Sequence, residues 1–235
     1  MTDPTYVREQ YATEAGLAAR KAVYTEVTGP DPREIVFDAV AAVAPRSMLE
    51  VGCGEGELAE RILRELDADL VAIDQSERMV ELTRARGVDA RVADVRELPF
   101  EDEAFDVAVA AWVLFHVREL DRAVDELARV LRPGGRLVAV TNASDHLREV
   151  WHVAGLDRPF SDLSFRAETG ADVLHRRFAD VETHDATGTV TFRDAEQIRS
   201  YLRSSARLAD GADRVPELTE PLVATRRPFV FVAEK

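Results

Sequence analysis

LEVGCGEGELAE, residues 49–60, runs from a short apolar stretch straight into Gly52, Gly54 and Gly56 at alternate positions. Leu58, Ile62, Leu63 and Leu66 then recur at helical spacing, so the segment reads as strand, glycine turn, helix. Such a turn serves either tight packing or the close approach of a ligand to bare backbone. Three acidic residues, Glu50, Glu55 and Glu57, stand among the glycines and bear on that choice.

Downstream the unit repeats in kind. LVAID is a buried-strand run, Ser76 can cap ERMVELTRAR, and Gly87 sits where that helix would stop. ARVAD reads as a third strand. FDVAVAAWVLFHV is too long to be strand throughout, so its end is expected to turn across the sheet edge. Asp121 opens RAVDELARVL, RPGG ends it, and RLVAVTN is a fifth strand. Upstream, Asp3-Pro4 and Asp31-Pro32 each mark a helix start, and Gly29-Pro30 separates the two helices.

Apolar strands alternating with amphipathic helices imply an α/β fold, a doubly wound parallel sheet covered on both faces. After residue 142 the pattern loosens. HLREVWHVAGL, LSFRAETGADVLHRRF and DAEQIRSYLRSSARLAD look helical, VETHDATGTVTF has a strand pattern, and RRPFVFVAEK is a closing strand. With no linker or repeat, these parts are expected to extend the same sheet, making 1–235 a single domain.

Composition narrows the function. The chain has 235 residues, 46% hydrophobic, and a formal net charge of −14, a field that repels phosphate backbones and anionic membrane surfaces. Neither nucleic acid nor membrane is an expected partner. Cys53 is the single cysteine, no secretory pattern opens the chain, and no apolar stretch approaches the ~20 residues of a membrane span, so a cytoplasmic location is expected. The five histidines form no HxxxH pair and there is no cysteine cluster, so no metal site is expected.

Asp74 lies twenty residues after Gly54, at the end of the second strand, where a carboxylate can accept hydrogen bonds from both ribose hydroxyls of a nucleoside. A dinucleotide would set its pyrophosphate against the glycine turn, and each carboxylate there would repel it by about a kcal/mol. Glu50, Glu55 and Glu57 therefore argue against NAD. A ligand carrying an ammonium and a sulfonium but no phosphate suits the turn, and S-adenosylmethionine has that charge pattern.

LEVGCGEGELAE, VAIDQSERMVELTRARG, ARVADVRELPFEDEAFDVAVAAWVLFHV and LRPGGRLVAVTN, in this order and spacing, resemble the successive motifs of the class I S-adenosylmethionine-dependent methyltransferases. Within that class the chain is most similar to the small-molecule, type 11 group, strongly over residues 46–142. The resemblance implies a Rossmann-like seven-stranded sheet, mostly parallel with an antiparallel C-terminal strand, and S-adenosylhomocysteine as the cofactor product. It places Gly52, Gly54 and Gly56 under the methionine part of the cofactor, with Glu50 orienting its amino group. Asp74 would bind the ribose, with Gln75 and Met79 beside the adenine, Asp94 accepting the exocyclic amine and Val95 offering its backbone N–H. Ala111 would contribute backbone near the methionine end. Ala111 and Phe115 stand where the family often has asparagine and histidine, so the roles tied to those side chains are not carried over.

The acceptor side is read from position. Residues 1–30 are expected to form a helical lid, with Tyr11 toward the cofactor and Tyr6 toward the acceptor, and residues 143–178 an acceptor-side helical segment. Arg20 either reaches the cofactor carboxylate or is merely solvated. His116, just past the fourth strand, is the candidate base or acceptor-orienting residue, its alternative being a turn cap. Trp112, Asn142, Trp151 and His152 complete the expected acceptor set. The expected activity is transfer of a methyl group to an oxygen or nitrogen of a small molecule; the alternative is a cofactor-binding regulatory or scaffolding protein without turnover.

Overall fold

The computed structural model describes residues 15–157, 160–205 and 207–235. Its helices are α1 (Ala15–Ala22), α2 (Pro32–Ala41), α3 (Glu57–Glu65), α4 (Glu77–Ala85), α5 (Leu120–Val130), α6 (Arg148–Val153), α7 (Gly170–Leu174) and α8 (Ala195–Arg203). Its strands are β1 (Ser47–Val51), β2 (Asp69–Asp74), β3 (Asp89–Val92), β4 (Phe105–Ala111), β5 (Leu131–Asn142), β6 (Asp180–Asp185), β7 (Gly188–Phe192), β8 (Leu222–Arg226) and β9 (Pro228–Glu234).

Seven strands form one sheet in the order β3-β2-β1-β4-β5-β9-β6. β1 pairs in parallel with both β2 and β4, while β9 runs antiparallel between β5 and β6. Chain direction across the sheet therefore reverses between β1 and β4, and the crevice outside their carboxyl ends is where open α/β sheets bind ligands. Alternation along the strands serves two layers: Leu49, Ala108 and Leu137 face α5 and α7, whereas Met48, Val107 and Val138 face α2, α3 and α4. The sheet is covered on both faces, as near-continuous apolar strands require.

The caps fall where the side chains permit. The Asp31 carboxylate accepts from the Arg33 N–H at 2.9 Å ahead of Pro32, and Ser76 Oγ accepts from the Met79 N–H. The run after β4 does leave the sheet, as a 3-10 turn at Leu114–His116.

One expectation is corrected. VETHDATGTVTF is two strands rather than one, and only β6 and β9 extend the main sheet; β7 and β8 pair with each other in a separate two-stranded sheet. Val190 and Phe192 point into a third apolar cluster with Leu147, Trp151 and Ile198, which pulls β7 away from the main core. The segment leading to α2 completes this layer: Thr28 N–H donates to the Thr189 carbonyl and Thr191 N–H to the Glu26 carbonyl. α1 is thereby pinned beside the carboxyl ends of the sheet strands.

Candidate active site

The carboxyl ends of β1, β4 and β5 open into a cavity of about 840 Å³, lined by Gly52, Gly54, Ala111, Trp112 and Asn142 among others. That lies within the ~300–1,000 Å³ typical of small-molecule sites. The three glycines differ in what they permit. A Cβ on Gly52 would lie 2.7 Å from Val113 and one on Gly56 2.8 Å from Thr83, so both are also needed for packing. At Gly54, φ is +54° and a Cβ would meet nothing within 4 Å. That stretch of backbone is bare and open on its cavity side.

Glu50 ends β1 beneath this turn and is 4% exposed, with Oε2 lacking any hydrogen-bond partner. Burial first, then the neighbouring Asp74 carboxylate, push its carboxyl up to about 8, against one N–H from Ala59. A buried, partnerless carboxyl oxygen on the cavity wall is a place for a cation. Glu55 and Glu57 are not: Lys21 of α1 pairs with both, reaching Glu57 at 2.8 Å. The expected charge argument against a pyrophosphate is therefore weakened: Lys21 offsets Glu55 and Glu57 while tying α1 to the turn, and burial keeps Glu50 protonated until a cation reaches it.

The residues expected on the nucleoside side follow β2 and β3. Asp74 accepts from the Gly54 N–H at 3.1 Å and the Ser76 N–H at 2.9 Å, which fixes its carboxylate at the strand end; burial raises its pKa. Gln75 is exposed beside it. At Asp94, burial works against ionisation, but the fork to Arg96, 2.7 Å at its closest, wins and holds the carboxyl below its ordinary range. Val95 is buried next to it. Met79 is fully buried, so its side chain packs inside the protein and offers no surface to an adenine.

Among the residues expected on the acceptor side, Trp112 adopts φ +55°, a conformation costly for a bulky side chain, and its Nε1–H donates to Asn142 Oδ1 at 3.3 Å. Both residues line the cavity, as do Phe115 and His116, whose rings lie 4.3 Å apart. The expectations for Trp151 and His152 are corrected. Trp151 is 3% exposed, packed in the third apolar cluster edge-on to Phe160, and His152 points to solvent; neither lines the cavity. α6 begins only at Arg148, and its inward face carries Val150 and Trp151. Tyr6 and Tyr11 lie outside the described residues. Cys53 is no nucleophile, since burial pushes its thiol up to about 12.

Sequence reasoning missed the polar end of the cavity. His146 accepts from the Arg227 N–H at Nδ1, 2.9 Å away, and its Nε2 lies 3.2 Å from the Tyr24 hydroxyl. Burial, then Arg226, lower its pKa to about 3, so the ring stays neutral. Tyr201, 7% exposed, is raised to about 12, chiefly by burial, and keeps its proton; Tyr24 is 37% exposed as a residue, and its phenol is shifted the same way by enclosure of its surroundings and by the Tyr201 phenol, against Arg226 and Arg20. His146 was visible beside Trp151 in the sequence, but no local signal says which of the two faces the site. Among the described residues no cluster of His, Cys, Asp or Glu could hold a metal, and no helix is long and apolar enough to cross a membrane.

The fold is a doubly wound, Rossmann-like α/β one, and the similarities to known proteins support a class I, S-adenosylmethionine-dependent methyltransferase. Residues 49–139 match the family model of the methyltransferase domain, and the cofactor this match supports is S-adenosylmethionine. Demethylmenaquinone methyltransferase of Clavibacter sepedonicus is 42% identical over 105 residues, 43% of this chain and 42% of its own length. The chain spans between 33% and 51% of the length of the curated relatives it matches. Among solved structures, the [4+2]-cyclase SpnF superposes with a TM-score of 0.62 at 21% identity, over 100% of this chain and 96% of its own. A Haemonchus contortus phosphoethanolamine N-methyltransferase, in complex with phosphomonomethylethanolamine and S-adenosylhomocysteine, gives 0.64 at 16% identity, over 98% of this chain and 59% of its own. These two likenesses are of fold.

Proposed function

We propose that the protein is an S-adenosylmethionine-dependent methyltransferase, a single domain that transfers a methyl group to an oxygen or nitrogen of a small-molecule acceptor in the cytoplasm. One observation carries the reading: the partnerless buried carboxyl of Glu50 and the open backbone at Gly54 meet at the sheet's switch point, on the wall of a cavity that Trp112, His116 and Asn142 also line, while Asp74 joins the turn from outside that cavity through the Gly54 N–H. The net charge of −14 supports a small-molecule acceptor over nucleic acid.

S-adenosylmethionine, when bound, supplies an electrophilic methyl group on a sulfonium. Everything else falls to the chain. Glu50 holds the ammonium, Gly52 and Gly54 offer backbone, Asp74 takes the ribose hydroxyls, and Asp94 and Val95 take the adenine edge. Trp112, locked by Asn142, shapes the wall against which the acceptor is oriented, and α1, tied down through Lys21, excludes water. His116 lines the cavity and is the residue placed to orient the acceptor or take its proton.

Calorimetric titration with S-adenosylmethionine and, separately, NAD tests the reading on wild type, Asp74→Ala and Gly54→Val. Binding of S-adenosylmethionine alone, weakened by both substitutions, supports it and opens a labelled-methyl screen for the acceptor. Micromolar binding of NAD, or no binding of either, refutes it. The cyclase SpnF keeps a second reading open, a cofactor-binding protein that transfers no methyl, because the same fold there carries another activity. Retained cofactor binding with no labelled product from any acceptor class favours that reading.

A further inference from the structure

Arg226 ends β8, is 5% exposed, and lines the cavity. Its Nε and Nη2 donate to the Thr28 carbonyl and Nη2 also to the Pro30 carbonyl, at 2.8 Å for the latter. Among the described residues it has no ion pair, in a chain with 44 acidic side chains against 30 lysines and arginines. Asp31, on the same wall, is taken by Arg33 at 2.7 Å, and Asp145 by Arg227 at 2.7 Å. Carbonyl oxygens satisfy hydrogen bonds, and the Asp31 carboxylate acts on Arg226 only through space while forked to Arg33, so the buried positive charge has no counter-ion in contact, a costly arrangement.

The neighbouring groups are donors as well. Because His146 Nδ1 accepts from the Arg227 N–H, the proton of the neutral ring sits on Nε2 and is donated to the Tyr24 oxygen. The phenolic proton of Tyr24 is thereby left to point into the cavity. Phe160 and Leu163 line an apolar wall of the same cavity. Arg226 precedes by two residues Pro228, which pairs with Asn142 of β5; the β9 backbone there is three strands from β1, about 14 Å at ordinary strand spacing.

We propose that Arg226, with the Tyr24 hydroxyl fixed by His146, forms a carboxylate-binding subsite for the methyl acceptor, whose apolar body packs on Phe160 and Leu163. The inference rests on the methyltransferase reading and names its substrate class: small acids with an apolar body.

The test uses the full chain saturated with S-adenosylhomocysteine, titrated with benzoate and hexanoate and with their uncharged counterparts benzamide and hexanamide. The carboxylates bind wild type at least tenfold more tightly than the amides. Arg226→Gln brings that ratio close to one and leaves S-adenosylhomocysteine affinity within twofold. Tyr24→Phe lowers the ratio several-fold; it keeps the ring, and so remains readable if Arg226→Gln releases residues 28–30 and fails to fold. Equal binding of acids and amides to wild type, or no binding of the acids, overturns the proposal. A folded Arg226→Gln protein that loses S-adenosylhomocysteine affinity also overturns it, by assigning Arg226 to the cofactor's own carboxylate. If wild type does not bind S-adenosylhomocysteine, the methyltransferase reading fails instead, and the acid-to-amide ratio on the protein alone still decides the subsite.

Discussion

Glu50→Gln is the substitution whose effect follows most directly from the site. In the folded protein the Glu50 carboxyl is raised to about 8 from an ordinary 4.5, because ionising it beside Asp74 would place an unpaired charge in a buried position. The folded state therefore holds its proton more tightly than the unfolded chain. The stability linked to that proton is fully present below pH 4.5 and is lost as pH rises toward and through 8. Within this window the slope is about 1.4 kcal/mol per pH unit, so wild type loses about 2–3 kcal/mol relative to Glu50→Gln between pH 5.5 and 7.5. Urea denaturation of both proteins at the two pH values reads the difference directly, since shared titrations cancel. Saturating S-adenosylmethionine should abolish the divergence by giving the carboxylate its cation, and in wild type its binding should release close to one proton at pH 6.5, measured by calorimetry in buffers of different ionisation enthalpy. Parallel stability profiles for the two proteins would refute the reasoning.

Other substitutions separate packing from binding. Gly54→Ala costs about 1–2 kcal/mol for its left-handed backbone and should abolish cofactor binding in calorimetry, whereas Gly52→Ala, also left-handed and with a Cβ that would strike Val113, should lower the thermal midpoint further. Trp151→Ala should destabilise by about 3–5 kcal/mol in urea while cofactor affinity in the remaining folded protein stays unchanged, as a buried residue outside the cavity demands. Burial, and then Arg226, hold His146 near 3 instead of 6.5, so the stability linked to its neutral form is complete above pH 6.5 and lost as pH falls below it. Wild type should lose about 1.4 kcal/mol per pH unit against His146→Gln from pH 6.5 down to 5, and methyl transfer should show no inflection from this ring between pH 6 and 8.

The sequence by itself determined the sheet and the glycine turn at its edge, because those signals are local. Apolar runs of strand length, the Asp31 and Ser76 caps and the glycines of residues 52–56 each act through neighbours within a few positions. Asp74 could be placed against the turn because one strand–helix–strand unit fixes that distance, and its carboxylate does accept from the Gly54 N–H. Only the tertiary structure decided the rest. Glu55 and Glu57 looked like part of the ligand's surroundings until Lys21, more than thirty residues away in sequence, proved to occupy them. Trp151 and His152 carried the suggestive side chains, yet the short α6 turns one inward and the other to solvent, a choice set by packing against Phe192 and Tyr201 in the third cluster rather than by anything within the helix. The polar end joins Tyr24, His146 and Arg226 from three distant segments, the first two 122 positions apart. Its chemistry exists only after the small β7–β8 sheet has closed over residues 26–30, because a buried guanidinium becomes a site only where folding has removed both water and counter-ion.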